Sequence, residues 1–216
     1  LFIYMYIPNF SYFLSRKNFI FTTFLMSLNP TPLNDDNTGT NSPKTLITKT
    51  DKEIYFYGPL TDESCFRLHY TLEELIKINK DKNNEIDLYL QTGGGSVLPT
   101  FPVVDLIKSS EIPINTIIKG YCASAGTLIS VAGNKRYMTN NSLLLIHSLR
   151  QETGGGTFNN IKDTFENSDV IMKLIKNIYL ENTEIPEEKL NYFFDHDLWL
   201  TSDECLKLKI VDGLKN

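Results

Sequence analysis

The sequence predicts an α/β domain whose helices lie outside its strands, because segments with strand periodicity alternate with segments with helical periodicity. In Ile86–Gln91, Ile and Leu alternate with Asp, Tyr and Gln, as in a half-buried strand. Before it, Cys65, Leu68 and Leu72 recur three or four residues apart, which is typical of one helix face. Leu143–Ile146 is a run of apolar residues that indicates a strand covered on both faces.

Length and composition limit the functions that the chain can have. Its 216 residues fit one domain with an appendage, and 41% hydrophobic against 22% charged residues exclude a collagen-like or wholly disordered chain. A net charge of −5 argues against a general nucleic-acid binder, because phosphate contacts need a basic face. Cys65, Cys122 and Cys205 lie far apart with no CxxC pair and no Cys/His cluster, so neither a disulfide framework nor a metal site is predicted.

The N-terminal extension, residues 1–28, is rich in aromatic residues. A proline and the pair Arg16-Lys17 interrupt it, so it lacks the ~20 consecutive apolar residues of a transmembrane helix. Three interpretations stay open: an upstream artefact or fragment, with translation starting at Met5 or Met26; a targeting segment; and a membrane attachment. We therefore expect a cytoplasmic protein, or a plastid or mitochondrial one if the extension is a targeting segment.

A linker and the folded body follow this extension. Residues 29–52 are predicted to be a disordered linker, because residues 29–45 are rich in Pro, Asn, Asp, Thr and Ser. The α/β body is predicted over residues 53–216, with its first strand at Ile54–Tyr57. Residues 1–45 should therefore be dispensable for the fold.

The remaining elements of the body are predicted from apolar periodicity and from capping residues. They are a helix capped by Thr61 or Asp62, a helix over Val97–Ser109, a strand over Ile114–Ile118 that ends at Gly120, a buried helix over Ala123–Ala132, a long helix over Asn159–Glu181, a helix from Pro186, and a last helix after the capping box Thr201–Glu204.

Ser124 is the first candidate for chemistry. It lies in Gly120–Gly126, between a predicted strand and a predicted helix, where open α/β folds place their ligands. Its small neighbours leave room for a substrate backbone, although Cys122 breaks the G-x-S-x-G motif of hydrolases. A simple helix-capping serine is the alternative interpretation.

His147 and Asp197 are candidates for a general base and its partner. His147 directly follows the apolar run Leu143–Ile146, so a titratable ring lies at the tip of a buried strand. A general base needs an acceptor on its second ring nitrogen, and Asp197 is the best candidate for it. The alternatives are a hydrogen-bonded core histidine and a solvated turn aspartate.

The glycine run Gly93–Gly95 joins a predicted strand to a predicted helix. Such a loop offers backbone N–H groups to an anion, either a phosphate or a developing oxyanion. Neither GK[ST] nor G-x-G-x-x-G is present, so nucleotide binding is weakly supported. A tight strand-to-helix turn is the alternative.

Together these segments resemble the proteolytic subunits of the Clp protease, which are serine peptidases with a crotonase-like fold. The resemblance covers about residues 53–214. It rests on four blocks in the family's order: Ile86–Val97, Gly120–Gly126, Asn141–His147 and Asp195–Gly213. It implies a spiral of ββα units with stacked strands, outer helices and a protruding handle helix, here Asn159–Glu181.

The resemblance further implies a serine endopeptidase that hydrolyses peptide bonds of unfolded proteins. Ser124 would attack the scissile carbonyl, His147 would take its proton, and Asp197 would orient the imidazole. The oxyanion hole would be formed by backbone N–H groups, those of Gly94, Gly95 and Ala125. The chain itself would need no cofactor, since a partner unfoldase would use the ATP.

The resemblance also implies partners. The family forms a double heptamer, so a homo-oligomeric or mixed ring is expected, which would receive unfolded polypeptides from an AAA+ Clp unfoldase. Apolar residues on several faces of the long helix independently predict a partner surface. The chain departs from the family at Gly93, Cys122 and Ala125, where proline, alanine and methionine are usual. Residues 29–52 contain no counterpart of the family's pore loop and N-terminal helix, which leaves docking to the unfoldase open.

Three other functions remain open. A crotonase-type acyl-CoA enzyme would use the oxyanion N–H groups without a triad, and a catalytically silent ring subunit would use neither. A serine–lysine protease would need a lysine beside the serine, where Lys119 and Lys135 are the nearby candidates.

Overall fold

The computed structural model describes residues 44–82, 84–151 and 155–215. The N-terminal extension, 1–28, and residues 29–43 of the predicted linker lie outside the described residues. The interpretations of both therefore stay predictions. Among the described residues, no helix has the length and apolar character that crossing a membrane requires.

The linker prediction is wrong at its C-terminal end, where Leu46–Lys49 forms a strand that pairs antiparallel with Glu53–Tyr57. Composition identifies a linker only up to about residue 45. Beyond it, β-branched Ile47 lies opposite Phe56 in the register, and β-branched residues favour strands. The folded body thus begins before residue 53.

Eight strands and six α-helices make up the described part of the chain. In chain order they are β1 (Leu46–Lys49), β2 (Glu53–Tyr57), α1 (Asp62–Asn79), β3 (Ile86–Thr92), α2 (Phe101–Ser109), β4 (Ile114–Ala123), α3 (Ala125–Val131), β5 (Arg136–Met138), β6 (Leu143–Ile146), α4 (Phe158–Asn182), α5 (Glu187–Phe194), β7 (Leu198–Thr201), α6 (Ser202–Lys207) and β8 (Gly213–Leu214).

The sheet runs in the order β1-β2-β3-β4-β5-β8, and β6 pairs with both β4 and β7. Only the β1–β2 and β6–β7 pairs are antiparallel among the described strands; the other neighbours are parallel. Parallel strands end at the same edge of a sheet, so the residues that follow β3, β4 and β6 come together there.

The central strand β4 changes partners along its length. Residues 116–118 pair with β5, whereas 121–123 pair with β6. The prediction that this strand ends at Gly120 is wrong, because Gly120 takes a positive φ of 78° and the strand continues beyond it. A Cβ atom at this position would lie 3.0 Å from Gln91 Oε1, so glycine is suited to it.

Two predicted helices begin later than expected. The segment Val97–Ser109 divides into a short 3₁₀ turn, Leu98–Thr100, and α2, since two prolines lie near its start. Helix α3 starts at Ala125 because β4 extends to Ala123. The long helix is confirmed, with α4 one residue longer at each end than predicted.

Apolar residues from the central strands pack against helices α1, α2 and α3 to form the core. The helix face predicted for α1 is confirmed, since Cys65, Leu68 and Leu72 are buried. Core members include Ile54, Phe56, Leu88, Leu90, Val103, Ile107, Ile118 and Leu128. This core makes a rigid support for the turn that follows β4.

Candidate active site

Ser124 occupies the tight turn between β4 and α3. Its backbone adopts φ 61° and ψ −135°, a positive-φ conformation that costs a non-glycine residue about 1–3 kcal/mol. Hydrogen bonds hold the turn in place: Ser124 N–H donates to Leu145 O over 2.9 Å, and Ser124 O accepts from Thr127 N–H over 3.0 Å. The strain is therefore maintained by the surrounding structure.

The hydroxyl of Ser124 is buried and has no hydrogen-bond partner among the described residues. Ser124 is the N-cap residue of α3, as the alternative interpretation had it, but its side chain makes no capping hydrogen bond, so capping does not account for the hydroxyl. A buried hydroxyl without a partner costs about 1–3 kcal/mol. Such a cost at a strained turn is typical of a nucleophile waiting for its substrate and base.

Gly94 packs directly against Ser124. A Cβ atom on Gly94 would lie 2.5 Å from Ser124 Cβ and 2.8 Å from Ser124 Oγ, and Gly94 has a φ of +88°. Its own N–H donates to Thr92 Oγ1 over 3.0 Å, so this donor is already engaged. The role of Gly94 in this structure is to leave space for the serine side chain.

Two other backbone donors near Ser124 have no acceptor in the described chain. In the bridge between Leu60 and Gly95, Leu60 N–H donates to Gly94 O, and Ser96 N–H donates to Leu60 O. The N–H of Gly95 itself makes no hydrogen bond in this bridge. Ala125 is the first residue of α3, and the N–H of a first helical residue has no acceptor within its own helix. Of the three predicted oxyanion donors, Gly95 and Ala125 are thus available, and Gly94 is not.

His147 reaches the same edge of the sheet. The parallel pairing of β4 with β6 aligns Ala123 with Leu145, so His147 lies beyond the end of β6 as Ser124 lies beyond the end of β4. His147 is 2% exposed, and its Nδ1 lies 2.7 Å from Ser148 O. Because a carbonyl only accepts, Nδ1 carries the hydrogen, and the buried Nε2, which has no partner among the described residues, is unprotonated.

The surroundings of His147 favour its neutral form. Burial is the main cause that lowers the pKa of its imidazole, and the nearby positive charge of Arg150 lowers it further. The Ser148 carbonyl and the negative charge of Asp197 raise that pKa, but their effects are smaller. The ring is therefore an available base at neutral pH.

Asp197 lies near His147 but is engaged elsewhere. The antiparallel register of β6 and β7 pairs Ile146 with Leu198; His147 directly follows β6, and Asp197 directly precedes β7. The carboxylate of Asp197 forms an ion pair with Arg150, while His147 Nδ1 bonds to Ser148 O. The structure thus brings the three candidates to one sheet edge without a His147–Asp197 hydrogen bond.

The lysines of the serine–lysine alternative lie in other interactions. Lys119 Nζ lies 4.3 Å from the ring centroid of Tyr89, and Lys135 pairs with Glu85 over 3.2 Å. Ser124 Oγ has no partner among the described residues. A lysine base for this serine therefore has no support in the structure.

Comparison with known proteins agrees with this site. The sequence model of the family described as Clp protease matches residues 42–216, which is most of the chain. The chain belongs to the Clp protease family. The predicted family and the crotonase-like fold class are confirmed.

Similar curated proteins carry the same family name. The ATP-dependent Clp protease proteolytic subunit of Streptococcus thermophilus is 30% identical over 170 residues, covering 76% of this chain and 84% of that protein. Subunit 1 from Chlamydia caviae is 30% identical over 169 residues, with 76% and 86% covered. This Clp-family chain is therefore a peptidase, and serine chemistry is that of its family.

Several residues around the Clp-family site escaped the sequence analysis. Arg150 lies 47 positions before Asp197, and no motif or periodicity indicates that it pairs with this candidate residue. Thr127 and Tyr179 look like ordinary helix residues, yet their hydroxyls meet 52 positions apart in the buried interior. Only the folded chain brings such pairs together.

Proposed function

We propose that this chain is a serine endopeptidase that hydrolyses peptide bonds of unfolded proteins as the proteolytic subunit of an ATP-dependent Clp-type protease. Ser124 is the nucleophile, His147 the base and Asp197 the residue that orients the imidazole. The single observation that carries this proposal is the buried Ser124 Oγ, partnerless among the described residues, on a strained turn at the same sheet edge as the unprotonated His147 Nε2. A serine nucleophile needs a hydroxyl that is not engaged elsewhere, and its base needs an unprotonated nitrogen.

In the first half of the reaction, Ser124 Oγ attacks the scissile carbonyl carbon while His147 Nε2 takes the hydroxyl proton. The carbonyl oxygen becomes an oxyanion, which accepts hydrogen bonds from the N–H groups of Gly95 and Ala125. Both N–H groups lack another acceptor in the described chain. Losing one such donor costs roughly 3–4 kcal/mol in the barrier, so these amides matter as much as the side chains.

In the second half, protonated His147 gives its proton to the departing amine, and an acyl ester remains on Ser124. A water molecule then attacks this ester while His147 takes a proton from it. The bond between the acyl carbon and Ser124 Oγ breaks, His147 returns the proton to Oγ, and the peptide acid leaves. Burial lowers the pKa of His147, which keeps the imidazole in the basic form that both steps need. The hydrolysis uses only groups of this chain, and ATP is consumed by the unfoldase partner.

The productive arrangement requires an exchange of partners beside His147. The Nδ1–H group must turn from Ser148 O to the Asp197 carboxylate, and Asp197 must leave Arg150. The residues next to His147 and Asp197, namely Ile146 and Leu198, are paired in the register of β6 and β7, which supports an exchange that keeps the two strands in place. An anionic acceptor stabilises the imidazolium that forms during catalysis better than a neutral carbonyl does.

Assembly into a homo-oligomeric or mixed ring is part of this proposal, with an AAA+ Clp unfoldase delivering unfolded polypeptides. Helix α4 supports it, because Phe158 is 79% exposed and Phe165 is 75% exposed. Aromatic side chains this exposed on one helix favour a covering protein surface. The mass of the purified protein, measured by size-exclusion chromatography with light scattering, tests this part.

Labelling with a fluorophosphonate probe tests the catalytic part. The full chain should form a stable adduct at Ser124, and Ser124→Ala should abolish it. Ser130→Ala is the matched control: Ser130 lies on α3, six residues after Ser124, and like Ser124 it is buried and has no partner for its hydroxyl among the described residues. That variant should be labelled at the wild-type rate.

One observation favours a second candidate, a catalytically silent ring subunit. The ion pair of Arg150 with Asp197 withholds the carboxylate from His147. A silent subunit, like a crotonase-type acyl-CoA enzyme, would leave the probe unreacted at Ser124 even in the assembled protein. That result would contradict the peptidase mechanism proposed here.

A further inference from the structure

A buried chain of hydroxyl groups connects α4 with the turn at Ser124. Tyr179 on α4 and Thr127 on α3 are both 0% exposed, and their hydroxyl groups are hydrogen-bonded to each other. Thr127 Oγ1 also lies 2.6 Å from Ser124 O. The turn that carries the nucleophile is thus tied to a helix that follows it by more than 30 residues.

The direction of these hydrogen bonds follows from the chemistry of the groups. Ser124 O is a carbonyl and only accepts, so Thr127 donates its single hydroxyl hydrogen to it. Tyr179 must then donate its own hydrogen to Thr127 Oγ1. Burial raises the pKa of the Tyr179 phenol, so this donor stays protonated.

We propose that Tyr179 is a positioning residue for Ser124, acting through Thr127; this inference rests on the proposed peptidase function. Ser124 O accepts from both the N–H and the hydroxyl of Thr127, and these two bonds hold the strained positive-φ backbone. Donation from Tyr179 fixes the Thr127 hydroxyl in the rotamer that points at Ser124 O. Hydrogen bonds in such a buried chain polarise and strengthen one another.

The ring of Tyr179 has a separate packing role, which allows its hydroxyl to be tested alone. It packs edge-on against Phe194, with ring centroids 6.0 Å apart and an interplanar angle of 61°. Phe194 O in turn accepts from Ser148 N–H over 3.1 Å. Tyr179→Phe keeps these ring contacts and removes only the donor to Thr127.

Peptidase kinetics separate positioning from general stability. Tyr179→Phe should lower kcat for a short fluorogenic peptide about fivefold to tenfold, as expected for one buried hydrogen bond, with KM within about twofold of wild type. Thr127→Val should have a similar effect, and Thr127→Ser, which keeps the hydroxyl, should restore most of the activity. The double variant Tyr179→Phe/Thr127→Val should lose little more than either single variant, because both break one chain.

Tyr192→Phe is the matched control, since Tyr192 lies on α5 and is partly exposed. It should leave kcat unchanged. Amide hydrogen exchange over residues 124–128 gives a readout that does not require activity. Exchange there should become faster in Tyr179→Phe than in wild type, also in a Ser124→Ala background, and stay unchanged in Tyr192→Phe.

The two readouts distinguish the possible failures. Unchanged kcat and unchanged exchange in Tyr179→Phe overturn the positioning role, as does a loss that appears only in KM. If the wild-type protein reacts with no probe and cleaves no peptide, the proposed function fails; faster exchange in Tyr179→Phe then still supports the link to Ser124, and unchanged exchange overturns it.

Discussion

Asp197, which directly precedes β7, forms an ion pair with Arg150 and not with His147, which directly follows the paired strand β6. As a consequence, His147 Nδ1 bonds to the carbonyl of its neighbour Ser148. The proposed nucleophile and base are therefore present while the carboxylate proposed to orient the base is engaged by Arg150.

Removal of the Arg150 charge should release Asp197. We expect Arg150→Gln to raise kcat/KM for a short peptide several-fold, and Asp197→Asn to lower kcat by about 10⁴-fold, as in serine proteases that lose this carboxylate. Arg67→Gln removes a surface ion pair on α1 and serves as the control. A loss of activity in Arg150→Gln would instead mean that the ion pair supports the productive site.

The pH dependence should reflect the lowered pKa of His147. Burial and Arg150 depress this pKa, so the acidic limb of kcat/KM should lie below the ordinary histidine value of about 6.5. Arg150→Gln removes one cause of the depression and should move this limb to higher pH. Proton NMR of the His147 imidazole measures the same titration directly.

The same shift has a consequence for stability. The unfolded chain binds a proton to His147 more readily than the folded one does, because the folded-state pKa is lowered. This group therefore contributes stability that is present above about pH 6.5 and is lost as the pH falls through the folded-state pKa. Urea denaturation of wild type and His147→Gln at two pH values would measure the contribution. Equal pH dependence in both proteins would contradict it.

Gly94 should tolerate no side chain. In Gly94→Ala the new Cβ would lie 2.5 Å from Ser124 Cβ, and alanine would have to keep the backbone φ of +88°. We therefore expect a loss of about 2–5 kcal/mol in unfolding free energy and no probe labelling. Gly155→Ala is the matched control, since Gly155 has a φ of +76° and a Cβ atom added there would meet no heavy atom of the described residues within 4 Å. It should cost only about 1–2 kcal/mol of backbone strain and keep full labelling.

Strand β1 should be required although residues before it should be dispensable. Thr45 Oγ1 donates to Pro59 O over 2.7 Å, and the next residue, Leu60, forms the bridge to Gly95. A chain that starts at Lys44 should keep its unfolding free energy within about 0.5 kcal/mol. A chain that starts at Thr50 should melt at a lower temperature and label more slowly, because the edge of β2 and the Pro59 contact are lost. Identical melting of the two chains would show that β1 adds nothing.

Local sequence patterns were sufficient for several elements of the fold. The helical spacing in α1, the apolar run in β6 and the capping box before α6 each predict an element that the structure contains. Strands β5 and β8 have three and two residues, too few for a periodic pattern. Strand β1 was hidden because it adjoins a segment of linker composition.

By itself, the sequence indicated the six helices and the strands β2, β3, β4 and β6, and it singled out Ser124, His147 and Asp197 as candidates, because periodicity, capping and glycine runs are local properties. Tertiary structure alone decided which groups meet. The continuation of β4 through Gly120, the engagement of the Gly94 amide by Thr92 and the ion pair of Arg150 with Asp197 all depend on register and packing between distant segments. Hydrogen bonds and ion pairs form wherever the folded backbone brings a donor and an acceptor within about 3 Å, and no local pattern encodes that distance.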